Sequence, residues 1–215
     1  MKNDSLPIIS YQRWLDAKIN ETKNNKYRPE LLLHSCCAPC SSYVIEYLSP
    51  FFSITVFFYN PNIHPQEEYK RRLEEQITLT EKIKVRNEIN LIIGSYEPDL
   101  FFQRVKGLEQ EKEGGRRCQK CFELRLEKTA QKASQLGFPY FTTTLTVSPH
   151  KNAKLINRLG NDIASLYHLQ YLFSDFKKKS GFQRSIVLSH QYKLYRQSYC
   201  GCIFSKEQEK LSDKK

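Results

Sequence analysis

The sequence predicts an α/β domain in which a parallel sheet carries helices on both faces. Five short apolar runs alternate with longer segments of helical periodicity along most of the chain. Such alternation is typical of parallel strands joined by crossover helices. The chain has 215 residues, 40% of them hydrophobic, which is enough for one core. We therefore interpret residues 1–215 as a single domain.

The predicted strands are continuous apolar runs bounded by turn residues. They cover residues 31–34, 54–59, 89–93, 140–144 and 171–173. All are far too short to cross a bilayer, so we expect no membrane association. Residues 1–5 (MKNDS) lack the basic and apolar segments of a signal peptide, and we expect a cytoplasmic protein.

The predicted helices are polar segments whose apolar residues recur three and four positions apart. They cover residues 5–25, 41–48, 66–85, 98–113, 118–136, 152–168 and 182–196. Gly107 should interrupt the fourth and Gly137 should end the fifth. Residues 1–30 then form an N-terminal helical extension. Residues 206–215 are polar and basic with only Leu211 as an apolar anchor, which indicates a mobile tail.

The chain is strongly basic, with a formal charge of +11 and a pI near 9.3. This balance is compatible with a polyanionic partner bound through its phosphates. Lysine-rich solvated helix faces produce the same balance, so charge alone does not decide between them.

All seven cysteines fall into three tight groups. The groups are Cys36, Cys37 and Cys40; Cys118 and Cys121; and Cys200 and Cys202. Core filling would scatter cysteines singly, and reducing compartments disfavour structural disulfides. The grouping therefore indicates metal binding or catalysis.

The first group lies where a predicted strand ends and a helix begins. Free backbone N–H groups and the helix dipole stabilise thiolates at such a position. In an open parallel sheet this edge is also where ligands bind.

Cys118 and Cys121 are three residues apart at a predicted helix start, so their sulfurs should point the same way. We expect the neighbouring charges of Arg116, Arg117 and Lys120 to lower the pKa values of both thiols.

We hypothesise that Cys36, Cys37, Cys118 and Cys121 bind a 4Fe-4S cluster. A tetrahedral zinc site on the same residues is the alternative. Cys40 then remains as a ligand of a second metal or as a bystander thiol.

Cys200 and Cys202 are separated only by Gly201, which permits the backbone of a strained, easily reduced disulfide. This pattern favours a redox pair, although both could instead be further metal ligands.

Three motifs carry a resemblance to a known family. They are residues 34–41 (HSCCAPCS), Arg117-Cys118-x-x-Cys121 and Tyr199-Cys200-Gly201-Cys202. Together with residues 58–63, 142–152 and 173–182, they make the chain resemble the epoxyqueuosine reductase family QueH from about residue 31 to 204.

The resemblance implies an adenine-nucleotide-hydrolase-like (HUP) fold in which a cysteine loop replaces the phosphate loop. It implies reduction of epoxyqueuosine to queuosine at the tRNA wobble base, the last step of queuosine biosynthesis, without cobalamin or ATP. It places the cluster on the four cysteines above and a redox-active disulfide on Cys200 and Cys202.

A neighbouring mononuclear iron is also implied, with Cys40 and Asp175 as candidate ligands. Tyr199, His34 and His150 are candidate proton donors. The electron donor stays unidentified.

A single-stranded anticodon loop is bound through phosphate contacts and aromatic stacking. The candidate tRNA contacts are basic residues near the cysteines or a strand end, namely Arg116, Arg117, Lys120, Lys177, Lys178 and Lys179. An iron-sulfur tRNA sulfur transferase and a non-catalytic zinc-binding nucleic-acid module are the alternatives. The former requires a nucleotide-binding loop, and the chain lacks the glycines for one.

Overall fold

The computed structural model describes residues 10–23 and 27–212, with side chains described up to residue 207. Five parallel strands form one sheet, in the order β3-β2-β1-β4-β5. Their bounds are β1 Glu30–Ser35, β2 Ser53–Phe58, β3 Asn90–Ile93, β4 Tyr140–Thr143 and β5 Gln170–Tyr171. Each strand overlaps one predicted apolar run, and the predicted parallel sheet is confirmed.

Eight α-helices lie in the described part of the chain. They are α1 Tyr11–Lys23, α2 Ala38–Leu48, α3 Gln66–Lys82, α4 Pro98–Val105, α5 Arg116–Leu136, α6 Ala153–Leu166, α7 Gly181–Gln191 and α8 Ile203–Ser212. None of the described helices combines the length and apolar character that a membrane span requires.

The bounds of several helices differ from the sequence prediction, and α7 ends at Gln191, before the predicted end at residue 196. α4 ends at Val105, before Gly107 takes a positive φ of 80°, so the predicted helix over 98–113 is too long. α1 falls within the predicted helix, whose residues 5–9 and 24–25 lie outside the described residues. α8 occupies most of the stretch expected to be a tail, and the mobility of that stretch stays a prediction.

The core lies on both faces of the sheet, because successive strand residues point to opposite sides. Leu31 and Leu33 of β1 pack in one apolar cluster with residues of α1, α2 and α7. Leu32 packs in the other with residues of α4, α5 and α6. Helices therefore cover both faces, as predicted, and the HUP-like expectation is consistent with this architecture.

The strand order reverses at β1, which pairs with β2 on one side and with β4 on the other. The chains leaving the carboxyl ends of β1 and β4 diverge there, and the crevice between them is the usual ligand position in open α/β sheets. Cys36 follows β1 and Thr144 follows β4, so both residues lie at this crevice.

Gly160 of α6 lies against the buried ring of Tyr171 in β5, and a Cβ at position 160 would overlap that ring. We expect Gly160→Ala to lower the free energy of unfolding by about 1–3 kcal/mol, although alanine is the better helix former. Denaturant unfolding measures this, with Ser165→Ala on the exposed side of α6 as control. A Gly160→Ala protein as stable as the parent would contradict the close packing of α6 on β5.

Candidate functional site

Cys36, Cys37 and Cys40 form the tightest chemical feature of the crevice. The first two residues are the whole connection between β1 and α2, and Cys40 lies in the first turn of α2. Their three sulfurs lie within 4.8 Å of one another, and the Sγ atoms of Cys36 and Cys37 are 3.7 Å apart. Within the described residues, no other set of three or more His, Cys, Asp or Glu side chains forms a group that could hold a metal ion.

The pKa values of the three thiols shift in different directions. Hydrogen bonds from the Cys36 and Cys40 thiols hold the pKa of Cys37 well below its usual range, with a smaller contribution from Gln197. The pKa of Cys40 is raised well above its ordinary value by hydrogen bonds to Cys36 and Cys37 and by burial. Cys37 is the N-cap of α2, where the helix terminus favours an anion. The direction of the pKa shift for Cys37 agrees with the predicted stabilised thiolate, whereas the pKa values of Cys36 and Cys40 are raised.

The spacing of these sulfurs fits a thiolate-bound metal. A tetrahedral ion with metal–sulfur bonds near 2.3 Å separates its ligand sulfurs by about 3.8 Å. The distance between the Sγ atoms of Cys36 and Cys37 matches that edge, and Cys40 lies close enough to complete a third position. The four predicted cluster ligands did not include Cys40, which was expected to be a ligand of a second metal or a bystander thiol, and the structure places its sulfur beside those of Cys36 and Cys37.

Thr144, which follows β4, holds Cys36 in place. Its hydroxyl accepts a hydrogen bond from the Cys36 N–H at 3.0 Å and donates one to the Cys36 sulfur at 3.2 Å. The sequence analysis did not single out Thr144. The sequence shows that Thr144 follows a predicted strand, but only the strand order shows that this strand lies next to β1.

Cys118 and Cys121 lie in the first turns of α5, and both contact the apolar cluster that also receives Cys36. Burial raises the pKa of Cys118, and it raises the pKa of Cys121 to about 11. The expectation that neighbouring basic residues would lower both values is therefore wrong, because burial outweighs the charges.

The basic residues beside Cys118 have other partners. Arg117 is 1% exposed, and its Nη1 donates to the backbone carbonyls of Leu108, Glu109 and Glu111. Lys120 forms an ion pair of 2.7 Å with Glu123. Arg117 consequently fastens the loop before α5, and its burial contradicts a role as a tRNA contact.

Cys200, Gly201 and Cys202 form the turn that leads into α8. Gly201 has a φ of 119°, a conformation that favours glycine, as the redox-pair interpretation requires. Both cysteines are thiols, and burial, with the nearby Cys200, raises the pKa of Cys202 to about 12.

Arg72 of α3 fastens this turn to the rest of the domain. The guanidinium is 2% exposed and donates to the backbone carbonyls of Cys200 and Tyr199 at 3.2 and 3.4 Å. Glu68, 2.6 Å from Arg72 Nε, fixes the guanidinium in turn. The sequence offered no signal for Arg72, since it lies more than 120 positions from its partners.

The three cysteine groups meet at one region of the domain. A cavity of about 680 Å³ is lined by Cys36, Cys40 and Cys200. Cys200 is also close enough for its charge to raise the pKa values of Cys118 and Cys121. The latter two sulfurs are nevertheless outside the tight group of three, so their sharing of one cluster with Cys36 and Cys37 stays a prediction.

Two cations that the sequence analysis missed accompany the sulfurs. Arg125 and Lys151 both line the cavity. Burial acts to lower the pKa of Lys151, but the charges of Cys200, Cys36 and Cys40 raise it overall. Arg125 lies four residues after Cys121, on the same side of α5, and this spacing was the available signal.

The candidate proton donors differ in their surroundings. Tyr199 lines the cavity, its hydroxyl donates to the His64 carbonyl at 3.0 Å, and burial raises its pKa to about 12. His34 is buried between Thr143 and the Tyr59 carbonyl, and burial lowers its pKa to about 3. A histidine held neutral in this way is a poor acid, which argues against His34.

Asp175 and the lysines that follow it lie in the loop after β5. Lys177 Nζ is 2.9 Å from Asp175 Oδ1, and Asp175 is not part of the group that could hold a metal within the described residues. Lys178 and Lys179 are exposed, and Lys179 pairs with Asp16 at 2.7 Å. Lys177 Nζ also donates to the Lys151 carbonyl at 3.3 Å, which places this run beside the cavity.

Comparison with known proteins gives a consistent result. Residues 31–208 match the family described as Epoxyqueuosine reductase QueH. The chain is 46% identical to the protein of that name from Streptococcus pyogenes serotype M1, over 92% of this chain and 78% of that protein. It is 45% identical to the Staphylococcus epidermidis protein of that name, over 95% and 87% of the two chains. The Thermotoga maritima protein of that name is 36% identical, over 81% and 89%.

The group formed by Cys36, Cys37 and Cys40 should bind a thiophilic ion in the metal-free, reduced protein. Titration with Co²⁺ is expected to give the intense absorption of thiolate-bound cobalt, and Cys37→Ser should remove at least the component of highest affinity. Cys202→Ser, whose sulfur lies outside the group, is the control and should retain it. Equal cobalt binding by the parent and Cys37→Ser would contradict the site.

Proposed function

The chain belongs to the epoxyqueuosine reductase family QueH, and we propose that it reduces the epoxide of epoxyqueuosine to the alkene of queuosine at the wobble base of tRNA. The reaction takes up two electrons and two protons and releases the epoxide oxygen as water. Family membership favours this oxidoreductase over a sulfur transferase or a zinc-binding module. The observation that carries the proposal at this site is that Cys36, Cys40 and Cys200 line one cavity while Cys118 and Cys121 pack in the apolar cluster that Cys36 also contacts.

We propose that the cofactor is a 4Fe-4S cluster bound through Cys36, Cys37, Cys118 and Cys121, with a mononuclear iron beside it. Each cysteine of such a cluster binds a different iron, so the Cys36 and Cys37 sulfurs would move farther apart than 3.7 Å when the cluster is bound. Such centres supply single electrons and a Lewis acid for the epoxide oxygen. Cys40 is supported as an iron ligand by its place in the tight sulfur group. Asp175 is the weaker candidate, because Lys177 already pairs with its carboxylate.

The cavity has the chemistry to receive a modified nucleotide. Phe182 and Tyr199 supply aromatic rings on which a base can stack. Ser148, Ser198 and Gln197 supply polar groups for the base edges and the hydroxyls of the substrate. Gln197 Oε1 is buried without a hydrogen-bond partner among the described residues and can accept a hydrogen bond from the substrate.

The Cys200 and Cys202 thiols are suited to supply both electrons. Formation of one disulfide releases two electrons and two protons, which equals what the epoxide takes up. Cys200 lines the cavity and Cys202 is buried behind it, on the turn that Arg72 holds. An unidentified electron donor would then restore the two thiols.

Replacing the redox pair and replacing a metal ligand should have different effects on iron content and turnover. We expect Cys200→Ser and Cys202→Ser to retain iron and lose turnover, because they remove electrons and not the proposed ligands. Cys36→Ser should lose both. Iron analysis of anaerobically prepared protein and mass analysis of tRNA nucleosides measure the two effects.

Loss of iron from Cys200→Ser or Cys202→Ser would contradict the redox assignment and favour a ligand role for that residue. A parent protein that is free of iron and fully active would contradict the cofactor. Cells without the protein should accumulate epoxyqueuosine, and a lack of accumulation would contradict the reaction.

We propose that tRNA binds across the exposed basic residues near the cavity. Arg116, Lys178 and Lys179 are exposed, and Lys177 reaches the cavity rim at Lys151. Lys120 remains a candidate although it pairs with Glu123. Arg117 is left out because it is buried.

Lys178→Glu should weaken tRNA binding and make it less dependent on salt. Each lost phosphate contact should reduce the slope of log K against log salt by about 0.7–0.9. Lys82→Glu makes the same charge change at the end of α3, on the opposite edge of the sheet, and should have a much smaller effect. Identical salt slopes for the parent and Lys178→Glu would remove this lysine from the interface.

A further inference from the structure

Arg125 is a buried cation with an unused hydrogen-bond donor. It is 2% exposed, and its Nε donates to the Cys121 carbonyl at 3.3 Å. Its Nη2 is buried and has no hydrogen-bond partner among the described residues, although the side chain lines the cavity. Because burying an unpaired guanidinium is costly, the arrangement indicates an anionic partner at this place.

The groups around Arg125 are sulfurs. Burial acts to lower its pKa, and the charges of Cys121, Cys200, Cys36 and Cys118 raise it overall. Thus all three cysteine groups lie within electrostatic reach of one guanidinium. Within the described part of the chain, Arg125 forms no ion pair with a carboxylate.

The other buried arginine of α5 shows what a structural role looks like. Arg117 directs its Nη1 to backbone carbonyls of the preceding loop, its Nε and Nη2 are buried without a partner among the described residues, and it is not among the residues that line the cavity. Arg125 donates from Nε to the Cys121 carbonyl, leaves Nη2 unpaired and, unlike Arg117, lines the cavity. Both arginines therefore have unpaired donors, and it is the position of Arg125 at the cavity, among cysteines of all three groups, that indicates a bound partner.

We propose that Arg125 Nη2 donates a hydrogen bond to a sulfur of the bound iron–sulfur group and that its charge stabilises the reduced state. This inference rests on the cofactor of the proposed function. Reduction adds one negative charge to a cluster, and a fixed cation stabilises that added charge more than it stabilises the oxidised form. Hydrogen bonds to the sulfurs and nearby charges are established determinants of cluster potential.

The experiment compares Arg125→Met, Arg125→Gln and Arg125→Lys with the parent, all prepared anaerobically. Iron content is measured first, and the cluster midpoint potential is then measured by redox titration followed by electron paramagnetic resonance. Lys128→Met is the matched control, because it removes one positive charge from the same helix at a site that faces Glu97 and the Tyr59 ring.

We expect Arg125→Met to retain iron and to shift the potential to more negative values. A charge-assisted hydrogen bond is worth about tenfold or more in an equilibrium constant, and tenfold corresponds to about 59 mV for one electron. Arg125→Lys should shift less than Arg125→Met, and Lys128→Met should match the parent.

Coinciding potentials for the parent and Arg125→Met, or an equal shift in Lys128→Met, would overturn the inference. If Arg125→Met fails to hold iron, the iron contents of Arg125→Lys and Arg125→Gln are compared instead. Circular dichroism then shows whether each variant is folded. Retention by Arg125→Lys alone supports the role of the charge, and loss from all three folded variants shows a packing role instead. An iron-free parent protein would overturn the proposed cofactor, and this inference with it, before any variant is compared.

Discussion

The two-residue connection between β1 and α2 is the constraint on which the site depends. Cys36 directly follows β1 and Cys37 is the N-cap of α2, so the strand and the helix fix the backbone on either side of these two residues. Thr144, from the neighbouring strand, binds both the N–H and the sulfur of Cys36. Cys40 lies in the first turn of α2, and its sulfur lies within 4.8 Å of the sulfurs of Cys36 and Cys37. The sheet edge thus gathers three sulfurs without any long loop.

The other cysteines depend on contacts that are distant in sequence. Arg72 joins the turn at Cys200 to α3, and the His64 N–H donates to the Gly201 carbonyl at 2.8 Å. Arg117 holds the loop that precedes Cys118. Both arginines are buried, so each must keep its carbonyl partners, and truncation of either would leave those groups unpaired. The second and third cysteine groups are therefore held by buried arginine contacts to the backbone next to them.

The thiols of the site differ in pKa, so they are not all thiolates in the metal-free protein. Burial keeps the thiols of Cys121 and Cys202 protonated at neutral pH, whereas Cys37 is poised to lose its proton. A coordinating metal removes thiol protons by its own charge, so metal binding at such residues is coupled to proton release. Arg125 and Lys151 place positive charge where these anions would form.

The fold was predictable from sequence because buried parallel strands appear as continuous apolar runs, and the strand-to-helix position of Cys36 and Cys37 followed directly. The approach of the Cys40 sulfur to within 4.8 Å of the other two required coordinates, because the direction of its side chain depends on the phase of α2. The acidity expected for Cys118 was wrong because charge in the sequence does not reveal burial. Arg117 looked like a surface cation for the same reason.

Diffraction from anaerobically grown crystals at energies above and below the iron absorption edge would test the central claim most directly. The account predicts anomalous density for iron bonded to the sulfurs of Cys36 and Cys37, in the crevice between β1 and β4. A crystal of active protein without iron density in that crevice, or with iron bound only elsewhere, would contradict it.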